Sequence, residues 1–221
     1  MPTVQKVIAI DGPSASGKGT VASLVAQNLG FAYLDSGAIY RLCALDAQNK
    51  QINWENEDQL AIVAQNLNIS FANQEVFLNN QSVEEHIRTE AIGLGASTIA
   101  KFPKVRLALL QRQQNFLTSQ GLVADGRDMG SVVFPNACLK VFLTASATIR
   151  AQRRVNQLKN MGKEASFEHI LKDIEARDLA DQNRAVAPLK QLPDAQLLDT
   201  SNMSIENAVK TVCQWYQDIK I

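Results

Sequence analysis

Short apolar runs alternate along the chain with longer stretches in which apolar residues recur every three or four positions. Five short runs predict buried strands, at residues 7–10, 31–34, 122–124, 139–143 and 197–198. The stretches between them predict helices. Strands separated by helices favour a parallel sheet with helices on both faces. In such sheets, ligands bind beyond the carboxyl ends of the strands.

Residues typical of helix termini stand at the ends of these periodic stretches. Gly30 is placed to end the first helix, while Pro103 suits the first turn of a long helix that is predicted to end at Gly121. Three serines are predicted to cap later helices, namely Ser146, Ser166 and Ser204.

The stretch 69–83 breaks this pattern. Ile69 and Phe71 alternate with polar residues, and the apolar residues 76–78 follow. The pairs Asn73-Gln74 and Asn79-Asn80 are turn candidates. The stretch predicts a small antiparallel sheet outside the parallel core, and an irregular loop is the alternative.

Composition and charge narrow the class of protein. With 221 residues, 46% hydrophobic and 20% charged, the chain is typical of a globular enzyme with one large domain or a core with inserted lobes. Lys plus Arg equals Asp plus Glu at 22 each, whereas a protein that binds nucleic acid without sequence preference usually carries a basic excess. We therefore expect no nucleic-acid partner. Any positive charge that binds anions must be concentrated locally.

The cysteines and the hydropathy pattern bear on location. Cys43, Cys138 and Cys213 are far apart and lack metal-ligand spacing, so they are predicted to be small buried residues in a reducing compartment. No basic and apolar leader precedes the first strand, and no apolar run reaches 18 residues. A cytoplasmic location without a membrane segment is the resulting expectation.

The most specific local motif is V-I-A-I-D-G-P-S-A-S-G-K-G-T, at residues 7–20. The spacing from Gly12 to Gly17 and Lys18 fits G-x-x-x-x-G-K, between a predicted strand and a predicted helix. Both glycines can take a positive φ and let backbone N–H groups face a phosphate at the positive end of a helix dipole. Lys18 adds a charge for the β- and γ-phosphates. A phosphate-binding loop is predicted, and a tight strand–helix turn is the alternative.

Two positions of this loop depart from the common pattern. Gly19 stands where many such loops carry the Ser or Thr that binds Mg²⁺, and Thr20 comes one residue later. Ala15 stands where a third glycine is common, so its φ is expected to suit a residue with a Cβ. The G-K-G-T form resembles nucleoside monophosphate kinases more than GTPases.

Two polar clusters follow predicted strands. In D-S-G-A-I-Y-R, at residues 35–41, Arg41 lies in the first turns of a helix and can reach back toward the strand end; a surface position is the alternative. In D-G-R-D-M-G, Asp125 ends an apolar strand. This arrangement resembles the Walker B segment of P-loop proteins, in which an acid at the end of a strand holds Mg²⁺ or its waters. Arg127 and Asp128 need partners if both are buried, and a mutually satisfied turn is the alternative.

A third cluster of charged residues lies in the C-terminal third of the chain. Arg177, Asp181 and Arg184 are spaced to share one face of a helix, next to Asp178. Arg150 and Arg154 share a face of the preceding helix. Ion pairs that only stabilise the helices are the alternative. Together these arginines supply the positive charge that phosphoryl transfer requires.

These motifs, taken in order, resemble the bacterial cytidylate kinase family over essentially the whole chain. The segments that carry the resemblance are G-P-S-A-S-G-K-G-T, D-S-G-A-I-Y-R, D-G-R-D-M-G-S-V-V-F-P and R-D-L-A-D-Q-N-R-A-V-A-P. Adenylate kinases resemble the chain in the loop but differ in the other segments. The resemblance implies an α/β P-loop NTPase fold of the nucleoside monophosphate kinase type, built on a five-stranded parallel sheet. It also implies a core (1–36, 98–150, 185–221), an inserted monophosphate-binding lobe with the small antiparallel sheet (37–97) and a helical lid (151–184).

The resemblance also implies roles for single residues. The acceptor monophosphate would be held by Ser36, Arg41, Arg127 and Arg184. Cytosine would be recognised by Ser97, Arg106 and Asp128, and the sugar by Arg177 and Asp181. ATP would be bound by Gly12, Pro13, Ser14, Ala15, Ser16, Gly17, Lys18, Gly19, Thr20 and Arg150. Catalytic charge would come from Lys18, Arg127, Arg154 and Arg184. Mg²⁺ would be held by Asp125, directly or through water, with Thr20 as a further candidate.

The implied activity is transfer of the ATP γ-phosphoryl group to CMP or dCMP by a monomeric enzyme. Another small-molecule P-loop kinase, acting on UMP or AMP, is the first alternative. A nucleotide-dependent switch is the second, but a GTPase needs an N-K-x-D motif, and Asn49-Lys50 is followed by Gln51-Ile52.

Overall fold

A computed structural model describes residues 5–72, 75–160 and 162–219. Strands and α-helices follow one another in this order: β1 (Gln5–Asp11), α1 (Lys18–Leu29), β2 (Ala32–Asp35), α2 (Ser36–Asn49), α3 (Glu57–Gln65), β3 (Ile69–Ala72), β4 (Glu75–Leu78), β5 (Gln81–Ser82), α4 (Glu84–Ile87), α5 (Glu90–Ile99), α6 (Pro103–Gln114), β6 (Leu122–Gly126), β7 (Ala137–Thr144), α7 (Ala147–Asn160), α8 (Phe167–Gln182), β8 (Gln196–Asp199) and α9 (Ile205–Gln217). A short π-helix, Met129–Val133, lies between β6 and β7.

The five predicted core strands form one sheet in the order β2-β6-β1-β7-β8. The central strand β1 runs parallel to β6 and β7, and Asp11 is in register with Gly126 on one side and Phe142 on the other. Residues 7–11 of β1 are all buried, as expected for a parallel strand covered on both faces. The prediction of a five-stranded parallel α/β fold is confirmed.

The hydrophobic core of the sheet is built from both kinds of predicted element, because apolar residues of the strands pack against the periodic apolar residues of the helices. Ile8, Ile10 and Val141 from the strands pack with Val25 of α1 and Val212 of α9, and all five are almost fully buried. Burial at about 25 cal/mol per Å² of apolar surface makes this the largest favourable contribution to folding in this part of the chain.

Most predicted helix ends are confirmed. Gly30 takes φ 66° after α1, and Pro103 is the first residue of α6. The hydroxyl oxygens of Ser146, Ser166 and Ser204 accept hydrogen bonds from the N–H groups of Ile149, His169 and Asn207. Gly121 does not end α6, which finishes at Gln114. Its φ is 130°, and a Cβ there would lie 2.8 Å from the ring of Phe31, so this glycine permits close packing before β6.

The predicted antiparallel sheet is also confirmed. β4 pairs with β3 and β5, and Ile69 lies opposite Leu78. Asn79 and Asn80 both have a positive φ, which is typical of a two-residue hairpin turn. The other turn candidate, Asn73-Gln74, lies outside the described residues.

By contacts, the chain divides into two compact units. One contains the chain up to Leu34 and from Phe116 onward, and the other is Asp35–Asn115. The first unit holds the parallel sheet together with α1, α7, α8 and α9, and the second holds α2–α6 and the antiparallel sheet. The three-part division implied by the family resemblance stays a proposal.

Candidate active site

The glycine loop lies between β1 and α1, at the carboxyl end of the central strand. Gly17 takes φ 86° and immediately precedes the first residue of α1, Lys18. The Lys18 side chain is 8% exposed, and its ammonium donates a hydrogen bond to the carbonyl oxygen of Pro13 at 3.1 Å. The lysine therefore folds back across its own loop, next to the positive end of the helix dipole.

The backbone at Gly12 and at Ala15 differs from what the sequence predicts for this loop. Gly12 does not have a positive φ; a Cβ there would lie 2.0 Å from the Leu143 carbonyl oxygen, so this glycine is needed because β7 comes so close. Ala15 takes φ 56° in the left-handed region, where an L-residue is disfavoured by about 1 kcal/mol or more. The expectation that Ala15 has a φ typical of a residue with a Cβ is therefore wrong.

Two arginines of α7 hold the loop by its carbonyl groups. Arg150 is buried, donates to the carbonyl oxygens of Ala145 and Ser14 at 2.8 and 3.0 Å, and forms a bidentate pair with the carboxylate of Asp178. Arg153 donates to the carbonyl oxygen of Ser16 at 3.2 Å and contacts Thr200. The predicted arginine helix thus contacts the loop, but Arg153 and Thr200 were not among the predicted site residues. The only available signal was the arginine spacing on α7.

The proposed metal-binding acid is buried at the end of β6. Asp125 is 4% exposed and accepts a hydrogen bond from the Tyr33 hydroxyl at 2.7 Å. A Cβ on Gly19 would lie 3.9 and 4.0 Å from the two carboxylate oxygens, so the residue beside the acid is Gly19. Thr20, by contrast, is exposed on α1. Nothing in the sequence pattern singled out Tyr33.

The Asp125 carboxylate and the adjacent loop suit Mg²⁺ as it is bound in enzymes that act on nucleotides. Within the described ranges, no group of three or more His, Cys, Asp or Glu side chains could hold a metal by itself. Mg²⁺ typically uses one or two carboxylates and completes its shell with water and substrate phosphates. A single buried carboxylate beside a phosphate loop matches that requirement.

A buried carboxylate brings two arginines together. Asp181 is 3% exposed and accepts hydrogen bonds from Arg127 Nε at 2.7 Å and from Arg184. Burial raises the pKa of Asp181, the charges of Arg127 and Arg184 lower it, and the net shift is downward. Arg184 lies two residues beyond the end of α8, so the prediction that it shares a helical face with Arg177 is wrong, although its contact with Asp181 is made.

Further positive charge surrounds this carboxylate. Burial lowers the pKa of Arg177, and the neighbouring charges of Arg127 and Arg154 lower it further, against the opposing effect of Asp181. A chain of zero net charge therefore concentrates four guanidinium groups around Asp181 in the first unit, those of Arg127, Arg154, Arg177 and Arg184. Such a concentration favours the binding of phosphate groups.

The π-helix is anchored to β1 by a residue that sequence analysis did not assign to the site. Both carboxylate oxygens of Asp11 accept backbone hydrogen bonds, from Met129 N and Gly130 N, each at 2.8 Å. The carbonyl oxygen of Asp128 accepts from Val132 N and Val133 N, which gives the wide turn. π-Helical turns occur frequently at functional sites. This one fixes the backbone next to the buried Asp128.

Asp11 is expected to make stability depend on pH. Burial raises its pKa from 3.8 to about 6, the backbone N–H groups of Gly130 and Met129 oppose that shift, and Asp128 adds to it. The neutral form is thus favoured in the folded state, so the free energy of unfolding should fall as pH rises from about 4 to about 6. The change amounts to about 3 kcal/mol.

Chemical denaturation between pH 4 and 7 measures this effect. The difference in unfolding free energy between the native protein and the Asp11→Asn variant should fall by about 2 kcal/mol over that interval, which is most of the full change, because the titration begins below pH 4. Asp194→Asn is the control, because Lys140 lowers the pKa of that exposed carboxylate and it titrates below the window. A difference that does not change with pH would contradict the assignment.

In the second unit, the predicted acceptor residues are held by their own neighbours. The buried Ser36 hydroxyl donates to Gln113 Oε1 at 2.7 Å, and Arg41 donates to the carbonyl oxygens of Ile87 and Thr89. A Cβ on Gly93 would lie 2.8 Å from Arg41 Nη2, so this glycine makes room for the guanidinium.

The base-recognition candidates of this unit lie on two helices. Ser97 is half-buried on α5, one turn after Gly93, and the two residues share a helix face. Arg106 of α6 is buried; it donates to the carbonyl oxygen of Ala100 and lies 5.9 Å from the ring centre of Tyr40. These contacts hold the predicted binding side chains in position, but they do not test their roles.

The sheet order, the loop after the central strand and the buried lysine define a P-loop nucleotide-binding protein, with the arginine concentration of a phosphotransferase. The chain belongs to the cytidylate kinase family: the sequence model described as Cytidylate kinase matches residues 8–218. The family prediction is confirmed.

Relatives match over nearly their whole length. A cytidylate kinase of Neisseria meningitidis serogroup C is 59% identical over 215 residues, which are 97% of this chain and 99% of the relative. One from Polynucleobacter necessarius is 54% identical over 210 residues, or 95% and 98% of the two chains. Among solved structures, an uncharacterized protein from Eubacterium ventriosum has a TM-score of 0.52 at 11% identity, over 97% of this chain and 99% of that one, and supports the fold alone. In the described part of the chain, none of the helices has both the length and the apolar character that crossing a bilayer requires.

Proposed function

We propose that the protein catalyses transfer of the γ-phosphoryl group of ATP to CMP or dCMP, which gives ADP and CDP or dCDP. Family membership over residues 8–218 supports the class of reaction. The observation that carries the chemistry is the buried carboxylate of Asp181, which holds Arg127 and Arg184 in the unit that also contains the phosphate loop. Structural ion pairs alone need no such concentration of like charge.

The reaction needs charge neutralisation more than proton transfer. An oxygen of the acceptor phosphate forms the new bond to the γ-phosphorus, while the bond from that phosphorus to the bridging oxygen of ADP breaks. The acceptor oxygen is already anionic at neutral pH, so no strong general base is required. Lys18, Arg127, Arg154 and Arg184 are proposed to stabilise the negative charge on the transferred group and to orient it.

The donor nucleotide is assigned to the first unit. Backbone N–H groups of Gly12 and of residues 14–20, with the side chains of Lys18 and Arg150, are proposed to hold the ATP phosphates; Pro13, which has no N–H, would shape the loop. Mg²⁺ bound by Asp125, directly or through water, and with Thr20 as a further candidate ligand, would neutralise charge on those phosphates.

Residues 151–184, which include most of α7 and all of α8, are proposed to act as the lid. They share a small core of their own, formed by Ala151, Val155, Leu158, Ile170 and Ile174. A helix pair with a separate core can move as a body, and closure would exclude water that otherwise hydrolyses ATP.

Residues of both units are proposed to bind the acceptor nucleotide, CMP or dCMP. In the second unit, Ser36 and Arg41 are assigned to the monophosphate, and Ser97 and Arg106 to the base. In the first unit, Arg127 and Arg184 are assigned to the monophosphate, Asp128 to the base, and Arg177 and Asp181 to the sugar. We further propose a monomer whose partners are these small molecules, and zero net charge supports the absence of a nucleic-acid partner.

Asp128 is proposed to select the base. Cytosine presents the N4 amino group, a donor that a carboxylate accepts, whereas uracil presents O4, an acceptor that the carboxylate repels. A buried polar site that is left unpaired by the wrong ligand discriminates strongly. We therefore expect kcat/KM for UMP to be about 1,000-fold lower than for CMP.

A coupled assay of ADP release with CMP, dCMP, UMP and AMP as acceptors tests both the proposed kinase activity and the role of Asp128 in base selection. Asp128→Asn should lower kcat/KM for CMP and narrow the preference over UMP, because an amide can donate to O4. Asp194→Asn, which changes an exposed carboxylate, is the matched control. Similar values for UMP and CMP would refute the role of Asp128. ATP hydrolysis that is unaffected by CMP would instead favour the switch.

A further inference from the structure

A buried carboxylate of the central strand contacts the turn that carries Asp128. Asp11, the last residue of β1, is 7% exposed, and each of its carboxylate oxygens accepts one backbone hydrogen bond from the π-helix. The donors are the N–H groups of Met129 and Gly130, both at 2.8 Å, and these two residues directly follow Asp128. The carboxylate of Asp11 therefore acts on the backbone immediately beside the proposed base-selecting acid.

The peptide group between Asp128 and Met129 is held at both ends. Its carbonyl oxygen accepts from Val132 N at 2.9 Å and from Val133 N at 3.2 Å, while its N–H group donates to Asp11. Because a peptide group is planar, fixing both of its ends leaves little freedom in the backbone angle ψ of Asp128. The backbone angles decide which side-chain rotamers are allowed. The direction of the Asp128 side chain, which is 4% exposed, therefore depends on the Asp11 carboxylate.

A carboxylate matches the two N–H groups, and the fold keeps its charge at a cost. An Asn side chain at position 11 would accept from one N–H group and turn its own amino group toward the other. Burial raises the pKa of Asp11 to about 6, and the neighbouring Asp128 adds to that shift. At neutral pH the protein thus holds an ionised acid in a buried position beside a second acid. Local instability of this kind is frequent at functional sites.

We propose that Asp11 is a positioning residue for base selection: by holding the backbone of the π-helix, it directs the Asp128 carboxylate toward the amino group of cytosine. The inference rests on the proposed function in taking CMP or dCMP as the acceptor. It gives a role to a residue outside the phosphate-loop motif, since G-x-x-x-x-G-K begins one residue later, at Gly12.

Asp11→Asn is expected to weaken base selection without weakening the donor site. The amide keeps one acceptor of the two, so the peptide group after Asp128 loses its fixed position. At pH 7 we expect the ratio of kcat/KM for CMP to that for UMP to fall at least about 10-fold, mainly through a higher KM for CMP. KM for ATP should change less than about twofold, because the donor makes no contact with this turn in the proposed arrangement.

A double-mutant cycle shows whether Asp11 acts through Asp128. In protein that already carries Asp128→Asn, adding Asp11→Asn should change the CMP-to-UMP ratio by less than about twofold, because the carboxylate that Asp11 positions is gone. Asp11→Ser, which is smaller and also uncharged, should lower the ratio as well, and it keeps the test open if the Asn variant does not fold. Circular dichroism and Tm report folding in every variant.

The matched control is Asp46→Asn, which makes the same change at another buried acid. Asp46 is 2% exposed and pairs with Lys50 in the second unit. Because it lies outside every proposed site, the control should keep the native CMP-to-UMP ratio. Equal loss of the ratio in the control would mean that any buried carboxylate has this effect, and it would overturn the inference.

Three further results would overturn the inference: an unchanged ratio in folded Asp11→Asn and Asp11→Ser proteins, a KM for ATP raised as much as that for CMP, or an undiminished effect of Asp11→Asn in the Asp128→Asn background. Failure of the proposed function is distinguishable, because a native protein that transfers no phosphoryl group to CMP fails before any variant is compared. Calorimetric Kd values for CMP and UMP would then judge the role of Asp11 without turnover.

Discussion

Replacement of Lys18 by alanine is expected to lower kcat by about 1,000-fold, which corresponds to about 4 kcal/mol of transition-state stabilisation. Lys18 carries its charge at the end of the central strand, 8% exposed and bonded to its own loop. A charge held in place in this way does not have to be reorganised during the reaction, so its electrostatic effect is larger than in water. Initial rates of CMP-dependent ADP release measure kcat.

The fold should survive this change, because the loop keeps Gly17 at the start of α1 and its arginine contacts to the carbonyl oxygens of Ser14 and Ser16. Lys140→Ala is the matched control: that lysine is also largely buried, with 12% side-chain exposure, but it pairs with Asp194. Circular dichroism and Tm report folding in both variants. Near-native turnover of a folded Lys18→Ala protein would count against the assigned role.

Arg184→Ala is expected to lower kcat by at least 100-fold, in line with arginines that stabilise a transferred phosphoryl group. The effect should appear in kcat more than in KM for ATP, because the proposed contact is made with the transferred group and the acceptor phosphate. Asp181 keeps its hydrogen bond from Arg127 in the variant, so its buried carboxylate stays paired and the fold should persist.

Two further variants make this result specific. Arg184→Lys keeps the charge but loses the planar fork that binds phosphate and carboxylate together, so only partial recovery is expected. Arg112→Ala removes an arginine that donates to the carbonyl oxygen of Gln65 in the second unit, and it should leave kcat near the native value. Full activity of Arg184→Ala, or full recovery with lysine, would contradict a bidentate role.

Much of the fold was predictable because its signals are local. The strands follow continuous apolar runs, Gly30 and the three capping serines mark helix ends, and Asn79-Asn80 marks a hairpin turn. Each of these depends on a few adjacent residues and on backbone preferences that hold in any protein. The phosphate loop was predictable for the same reason, since three residues of fixed spacing, Gly12, Gly17 and Lys18, specify it.

The π-helix and the end of α6 were not predictable in this way. The π-helix forms where Asp11 accepts from Met129 and Gly130, which lie 118 and 119 residues further along the chain. Gly121 had the appearance of a helix end, but its conformation serves packing against Phe31. In both cases a tertiary contact overrides what the local sequence favours.

The sequence by itself determined the order of the elements, the position of the phosphate loop and the set of charged residues available for chemistry. Only the tertiary structure decided how these groups are paired: Tyr33 with Asp125 across 92 residues, Arg153 with Ser16 across 137, and Arg127 with Asp181 across 54. Local preferences act over a few residues, whereas a buried charge needs whichever partner the packed fold brings within about 3 Å. The pairing of the site therefore follows from the fold of the whole unit.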